Sequence, residues 1–283
     1  MMVLYCEGVD KLMVVHNVKH DSSCSSLLSI GTRASRDVAF WDVECSRLEF
    51  SVDVGYSVDF AVISSSSNTV VCGSSDSGVV VTISLTCGSV DHTSKAEDYR
   101  GMTDMTVSVD DIFIATPASG VMILSITQDV VTGCLRDPDG PSVPTKLLVS
   151  SHSDRQLIVG YKHGLVQIFD VDKETVVCSM SGHSASINSL HLLSSGQLIS
   201  AADDHSAIIW NNQLSRDQES GDEFAMSRMY ELQGLETGVE VRCGCSESEV
   251  NYDVVCYTVD STQQLLYAGF SCGVVKIWNI DTG

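Results

Sequence analysis

The stretch from Gly182 to Asn211 constrains the fold more than any other part of the chain. It contains three short apolar runs, which are Ile187–Leu193, Gln197–Ala201 and Ala207–Trp210. Each run is too short for a helix. The segments between the runs contain Ser-Ser-Gly and Asp-Asp-His, which are typical of tight turns. The pattern therefore predicts three consecutive antiparallel strands.

Four polar residues in this stretch carry complementary hydrogen-bonding groups. The Trp210 indole only donates, the Ser200 hydroxyl and a neutral His183 each donate and accept, and Asp204 accepts. A chain of bonds from Trp210 through Ser200 and His183 to Asp204 satisfies every member. Such a network stabilises a fold only when it is complete. The count of donors and acceptors therefore favours a structural role for these residues over a catalytic Ser-His-Asp triad.

This arrangement resembles a WD40 repeat, with the four residues in the positions of that family's structural tetrad. Trp210-Asn211 stands where the family usually has Trp-Asp. The resemblance implies an all-β, WD40-type β-propeller built from four-stranded antiparallel sheets. It also implies a scaffold or adaptor that mediates protein–protein interaction and performs no chemistry.

Counting repeats predicts six blades, because a WD repeat spans roughly 40–45 residues and the chain has 283. The predicted closes of the third strands are Trp41, Thr82, Leu124, Phe169, Trp210 and Trp278. The last interval is longer than one repeat, which predicts an irregular acidic insertion at about residues 213–248 within a single domain, 1–283.

The two ends of the chain suggest how the ring closes. The last unit stops without an outer strand, whereas Val3–Cys6 is an apolar run that belongs to no blade. Pairing the two removes open strand edges, so the N-terminal strand is expected to complete the last blade. An incomplete seven-bladed propeller is the alternative.

The balance of charge bears on partners. Sixteen basic residues against 37 acidic ones give a net charge of −21. Such a field repels phosphate groups and anionic lipid, so neither nucleic acid nor a membrane is an expected partner. Other proteins or peptides are expected, and a basic one would be steered to the surface. The oligomeric state is not indicated.

The cysteines and the absence of targeting signals bear on location. The eleven Cys form no Cys-x-x-Cys pair, and Cys243-Gly-Cys245 is the one cluster. No run of about 18 apolar residues and no signal peptide is present. We therefore expect reduced thiols that behave as small buried apolar residues, and a cytoplasmic or nuclear protein.

Enzyme-like motifs are not supported by their context. Gly269–Gly273 matches Gly-x-Ser-x-Gly, but a strand follows it and no His lies downstream of Ser271. There is no paired-His metal motif, no Walker loop and no dinucleotide fingerprint. We expect no enzyme activity, no cofactor and no metal. A ligand-binding or hydrolytic propeller that uses the central channel is the alternative function.

A shared turn motif indicates a candidate binding face. Gly-aromatic-x-x-Gly occurs at Gly160–Gly164 and at Gly269–Gly273, which places Tyr161 and Phe270 at equivalent positions. The resemblance implies that this turn lies at the mouth of the channel. The candidate protein-binding residues are Arg33, Tyr161, Lys162, Asp203 and Phe270. Packing of the two aromatic rings between blades is the alternative.

Overall fold

The computed structural model describes thirteen stretches of the chain, which are residues 13–15, 26–30, 36–42, 47–64, 68–126, 128–150, 155–204, 206–213, 225–233, 239–242, 254–260, 262–270 and 274–280. Apart from one 3-10 turn, Glu97–Tyr99, the elements are β-strands. The chain divides into two compact units, Met1–Cys134 and Leu135–Gly283. A single domain over residues 1–283 stays a prediction.

Unit 1 contains three antiparallel sheets. Sheet 1 consists of β1 (Met13–Val15), β2 (Ser26–Ile30), β3 (Asp37–Asp42) and β4 (Arg47–Asp53). Sheet 2 consists of β5 (Phe60–Ser64), β6 (Thr69–Ser74), β7 (Val79–Ser84) and β8 (Val90–Lys95). Sheet 3 consists of β9 (Asp104–Val107), β10 (Asp111–Thr116), β11 (Gly120–Ser125) and β12 (Val131–Leu135), whose last residue falls in unit 2.

Unit 2 also contains three antiparallel sheets. Sheet 4 consists of β13 (Pro144–Val149), β14 (Gln156–Tyr161), β15 (Leu165–Asp170) and β16 (Thr175–Ser181). Sheet 5 consists of β17 (Ile187–Leu192), β18 (Leu198–Ala202), β19 (Ser206–Gln213) and β20 (Ala225–Gln233). Sheet 6 has the order β21 (Val239–Arg242), β24 (Val274–Asn279), β23 (Leu265–Phe270) and β22 (Val254–Val259).

Burial explains why the middle strands are so apolar. Strands such as β6 and β10 are buried at nearly every residue, whereas the outer strand β8 is exposed at nearly every residue. Neighbouring sheets within a unit pack face to face, with one apolar cluster between sheets 2 and 3 and another between sheets 5 and 6. A middle strand therefore has no solvated face, and β-branched side chains suit both of its surfaces.

Each of sheets 1 to 5 has two distinguishable ends, whereas in sheet 6 the outer strand β21 precedes the other three strands. At the upper end, the second strand turns into the third, and the fourth strand leads to the next sheet. At the lower end, the first strand turns into the second and the third turns into the fourth. The turns Ser108–Asp110 and Leu85–Ser89 lie at the lower end of unit 1, and the turn Lys162–Gly164 lies at the upper end of unit 2.

The ladder register corrects one predicted strand close. In sheets 4 and 5 a bulge between the third and fourth strands falls just before Phe169 and Trp210, respectively. The equivalent bulge in sheet 2 falls between Thr82 and Ile83. Ile83, not Thr82, therefore occupies the position of the tryptophan. The prediction was one residue off because no aromatic side chain marks this close in the sequence.

The outer strand of sheet 6 differs from the prediction. Strand β21 pairs with β24 in the antiparallel register Val239↔Ile277 to Arg242↔Val274. It therefore occupies the edge that the N-terminal strand was expected to cover, and Val3–Cys6 lies outside the described residues. The predicted irregular insertion, 213–248, also contains β20 and β21. Strand pairing, which no local pattern reveals, orders these two segments.

Candidate functional site

The four tetrad residues of sheet 5 meet in one chain of hydrogen bonds. The Trp210 Nε1–H group donates to the Ser200 hydroxyl at 2.8 Å, and that hydroxyl donates to His183 Nε2 at 2.9 Å. The Nδ1–H group of His183 donates to the Asp204 carboxylate at 3.0 Å. This order requires the Nδ1–H tautomer of His183. The network crosses from β19 to β18 and then to the upper end of the sheet.

Burial makes this network structural. Ser200 has no exposed surface, Trp210 is 3% exposed and the side chain of His183 is fully buried. The Ser200 hydroxyl is already engaged by both His183 and Trp210. A buried hydroxyl without an approach for a substrate cannot act as a nucleophile, although its Ser-His-Asp order resembles a triad.

Two serines complete the shell around Asp204. The Ser206 hydroxyl donates to Oδ1 of Asp204 at 2.7 Å, and the backbone N–H of Ser184 donates to Oδ2 at 2.8 Å. Burial acts to raise the pKa of Asp204, but the bonds from Ser184, Ser206 and His183 outweigh it and hold the pKa below its usual value. Sequence reasoning missed both serines. Ser184 directly follows His183, and Ser206 lies two residues after Asp204, so their positions in the sequence could have indicated this role.

The equivalent positions in sheets 4 and 6 hold residues that cannot form the complete network. Phe169 replaces the tryptophan in sheet 4, and Val159 stands where sheet 5 has Ser200, so neither polar group remains. In sheet 6, Trp278 remains, but Ala268 stands at the serine position. The Nε1 atom of Trp278 is buried, and no described residue accepts its hydrogen bond.

Tyr161, the first predicted anchor, is not on the surface. It ends β14 and is only 2% exposed, with its ring centroid 5.8 Å from that of His163. Burial raises the pKa of its hydroxyl above the usual range, and the neighbouring Asp137 carboxylate adds to this rise. The expectation of an exposed aromatic at this position is therefore wrong. Tyr161 is buried in unit 2, and packing of both aromatic rings between blades stays a prediction.

Two other candidate residues, Lys162 and Asp203, are exposed. Lys162 is exposed in the turn after Tyr161, and its backbone N–H donates to the carbonyl of Val143. Asp203 is exposed at the upper end of sheet 5, where it accepts the side-chain amide of Asn188 at 3.0 Å.

The last two candidates fall outside what the structure places. Phe270 ends β23, but its side chain lies outside the described part of the structure. Arg33 lies outside the described residues. The structure therefore places Lys162 and Asp203 at the upper end of unit 2, and a binding site formed by the predicted residues other than the buried Tyr161 stays a prediction.

A polar cluster that sequence reasoning missed lies beside Lys162. Asp137 accepts the Ser142 hydroxyl at 2.6 Å and the Gln167 amide at 3.1 Å. Burial acts to raise the pKa of Asp137, but the bonds from Ser142, Asp139 and Gln167, together with the nearby His163, lower it overall. The carboxylate is therefore charged at neutral pH and fixes the Arg136–Pro144 loop against β15. The Asp-Pro-Asp-Gly sequence of this loop is typical of a turn and could have indicated that Asp137 is held in place there.

The cysteines only partly match their prediction. Cys72 is buried, and burial raises the pKa of its thiol to about 12. Cys134 and Cys178 are half-buried, whereas Cys87 is exposed in the turn between β7 and β8, so it is not a buried apolar residue. Cys243 and Cys245 lie outside the described residues.

The described residues offer neither a metal site nor a membrane-spanning helix. No three His, Cys, Asp or Glu side chains in the described stretches are grouped so that they could hold a metal ion. In the same stretches, no helix has the length and apolar character that crossing a membrane requires.

No family model matches the sequence. A 68-residue segment, 23% of this chain, is 40% identical to the WD repeat-containing protein slp1 of Schizosaccharomyces pombe (strain 972 / ATCC 24843). That match spans only 14% of the length of slp1.

Solved structures match over a much larger part of the chain. The β-propeller domain of Myceliophteria thermophila Cps50 (Swd1) aligns with a TM-score of 0.75 at 15% identity, covering 92% of this chain and 81% of that one. A chain of the mitotic checkpoint complex aligns with a TM-score of 0.69 at 12% identity, over 90% of this chain and 71% of that one. The computationally designed Ika8 protein aligns with a TM-score of 0.65 at 16% identity, over 91% and 69%.

These likenesses agree with the four-stranded antiparallel sheets and with the hydrogen-bonded Trp-Ser-His-Asp network of sheet 5. At such low identity, the solved structures establish the fold, and the short segment shared with slp1 connects it to WD repeats. The chain has a β-propeller fold, and one segment of it is similar to part of a WD repeat-containing protein.

Proposed function

We propose that the chain is a non-enzymatic scaffold that holds other proteins or peptides together within a cytoplasmic or nuclear complex. One observation carries the proposal. The Ser-His-Asp set of sheet 5 is committed to structure, with a fully buried Ser200 whose hydroxyl is engaged by two neighbours. A propeller whose polar groups hold the sheet together is suited to presenting its surface to partners.

The upper end of unit 2 is the surface that we assign to a partner. Lys162 and Asp203 are exposed there, in turns that strands β14 and β18 hold in place. The net charge of −21 favours a basic partner, because opposite charge speeds association and suppresses anionic competitors. Tyr161 contributes packing beneath this surface and no contact.

The test of the scaffold function is affinity purification of the tagged chain from its own cells, with partner stoichiometry measured by mass spectrometry. We expect at least one partner near one-to-one, retained at 150 mM salt. Asp203→Asn should slow association with that partner and flatten its salt dependence, whereas the matched variant Glu174→Gln, at the lower end of the same unit, should not. Recovery of the chain alone under all conditions would overturn the scaffold function.

The alternative, a ligand-binding or hydrolytic propeller, makes a separate prediction. A fluorophosphonate probe should label an activated serine, and a metabolite should raise the melting temperature. We expect no labelling of Ser200, because its hydroxyl is buried and hydrogen-bonded. Labelling of Ser200 in the folded protein would require a catalytic interpretation.

A further inference from the structure

The lower end of unit 1 carries a set of exposed aliphatic side chains. The large apolar residues more than 40% exposed in the described part of the chain are Leu48, Val90, Val109, Val130 and Val131. Leu48, Val90 and Val131 lie at the starts of the fourth strands, β4, β8 and β12. The remaining two lie in lower-end turns of sheet 3. Single exposed valines are ordinary, but all five lie at one end of one unit.

The two turns of sheet 3 that carry these valines are joined directly. The backbone N–H of Ile126 donates to the carbonyl of Asp110 at 2.9 Å, and the N–H of Ser125 donates to the carbonyl of Val130 at 3.0 Å. Asp129 adopts a positive φ of 52° in the second turn. Val109 and Val130 therefore project from turns that are held together by main-chain bonds, so they form a fixed surface.

Carboxylates accompany these valines at the same end. Asp91, Asp110 and Asp129 are all exposed, and each is next in sequence to one of the exposed valines. The described lysines and arginines of unit 1 that lie at the upper end are Arg36, Lys95 and Arg100. Arg47, whose side chain lies outside the described part of the structure, begins β4 at the lower end, opposite Asp42 in the ladder register. The lower end is thus both apolar and acidic.

A small cleft opens between sheets 2 and 3 at this end. Its walls include Val80 and Leu124, and its rim includes His92 and Asp129. Thr82 also lines the cleft; it is 6% exposed, and its Oγ1 atom has no hydrogen-bond partner in the described structure. A buried hydroxyl without a partner is costly unless something polar fills the space before it. The cleft therefore offers a hydroxyl and a carboxylate beside apolar walls.

We propose that the lower end of unit 1, defined by Val90, Val109, Asp129, Val130 and Val131, binds a peptide segment in which aliphatic residues alternate with Lys or Arg. The aliphatic side chains of the peptide cover the valines, and its cationic groups pair with the carboxylates. Charge complementarity selects this occupant, because an acidic or purely polar segment gains nothing from the same surface. The inference rests on the proposed scaffold function and adds a second surface to it.

The test uses three dye-labelled nonapeptides and the purified full chain, with binding measured by fluorescence anisotropy. One peptide alternates Leu and Lys, one alternates Leu and Glu, and one alternates Ser and Lys. We expect the Leu/Lys peptide to bind most tightly, with an affinity that falls as salt rises. The double variant Val130→Thr/Val131→Thr should weaken it about fivefold, since two exposed methyl groups are replaced by hydroxyls and β-branching is kept.

The charge is tested by a matched pair. Asp129→Asn should weaken the Leu/Lys peptide about threefold, and Asn tolerates the positive φ at this position. Asp98→Asn removes one exposed carboxylate from the upper end of the same unit, so it changes the net charge equally and should leave binding unchanged. Melting curves establish that each variant is folded.

Two results would overturn the proposal. One is a Leu/Lys peptide that binds the wild type and the lower-end variants equally. The other is an absence of peptide binding combined with dimerisation that Val130→Thr/Val131→Thr abolishes, which would make a second copy the occupant. Neither result depends on the affinity purification, so failure of this surface and failure of the scaffold function are distinguishable.

Discussion

Single hydrogen bonds distinguish residues that look alike in the sequence. Trp210 and Trp278 close equivalent strands, and both indoles are at least nine-tenths buried. Trp210 Nε1 donates to Ser200, whereas Trp278 Nε1 has no described acceptor because Ala268 replaces the serine. The cost of removing an indole N–H therefore depends on the opposite strand.

The first prediction compares these two tryptophans. Trp210→Phe should lower the free energy of unfolding by roughly 1–3 kcal/mol, because it removes a buried donor and leaves Ser200 short of a partner. Trp278→Phe should cost less, because no hydrogen bond is lost and a buried unpaired group disappears. Urea unfolding of both variants measures the difference. Equal costs would show that ring packing alone matters at these positions.

His191 is a partly buried imidazole whose pKa differs between the folded and unfolded states. Its Nε2–H group donates to the carbonyl of Tyr257 at 3.1 Å, which ties β17 to β22. Burial lowers the pKa of His191, and the bond to Tyr257 only partly opposes this. The folded state therefore favours the neutral imidazole more than the unfolded state does.

The second prediction concerns pH. Because the folded pKa of His191 is depressed, its stabilising contribution is present above the unfolded value of about 6.5 and is lost as the pH falls below it. His191→Gln keeps a donor but does not titrate. Denaturant unfolding between pH 5 and 8 should show that wild type loses stability more steeply on acidification, by at most about 1.4 kcal/mol per pH unit. Identical slopes would assign the acid sensitivity to other groups.

The outer strand of sheet 6 is the element that differs from the prediction. Strand β21 covers β24 through four paired residues, Val239–Arg242. Four residues give few contacts, but they cover an edge that would otherwise expose unpaired backbone groups. A short outer strand can therefore be supplied from any nearby segment, and the amphipathic Val-Glu-Val-Arg sequence is sufficient.

The third prediction compares two four-residue replacements. Exchanging Val239–Arg242 for Gly-Ser-Gly-Ser should lower the melting temperature and promote aggregation, because it uncovers the edge of β24. The same exchange at Val3–Cys6 should have the smaller effect, because β21 covers the edge of β24. Differential scanning fluorimetry and light scattering measure both variants. The opposite order would restore closure by the N-terminal strand.

Charge acts on the molecule as a whole. The net charge of −21 results from 37 acidic and 16 basic residues, and most described carboxylates lie on the surface. Like charges on a compact chain repel one another and favour the expanded state. The same field keeps the protein dispersed and attracts basic partners.

The fourth prediction concerns salt. Raising NaCl from about 10 to 150 mM screens charges farther apart than a Debye length of about 8 Å. We expect the melting temperature to rise by about 2–4 °C, which corresponds to about 1 kcal/mol of relieved repulsion in a chain of this size. An equimolar amount of sucrose is the control for a general solute effect. A melting temperature that falls with salt would mean that local ion pairs outweigh the net repulsion.

The sequence by itself determined the features that depend on short stretches. Counting donors and acceptors among His183, Ser200, Asp204 and Trp210 predicted the network, because strands joined by tight turns lie side by side. The same periodicity predicted short antiparallel strands, and the resemblance of one repeat to a WD40 repeat implied the four-stranded sheets.

Only the tertiary structure decided what depends on distant neighbours. The pattern of Gly160–Gly164 suggests an exposed aromatic, but packing inside unit 2 leaves Tyr161 2% exposed. Likewise, Ile83 takes a tryptophan's place through the ladder register, and β21 covers β24 although it precedes β22 in the chain. Periodicity is local, whereas burial and edge pairing are set by whichever segment lies closest in the folded chain, and the sequence pattern does not contain that information.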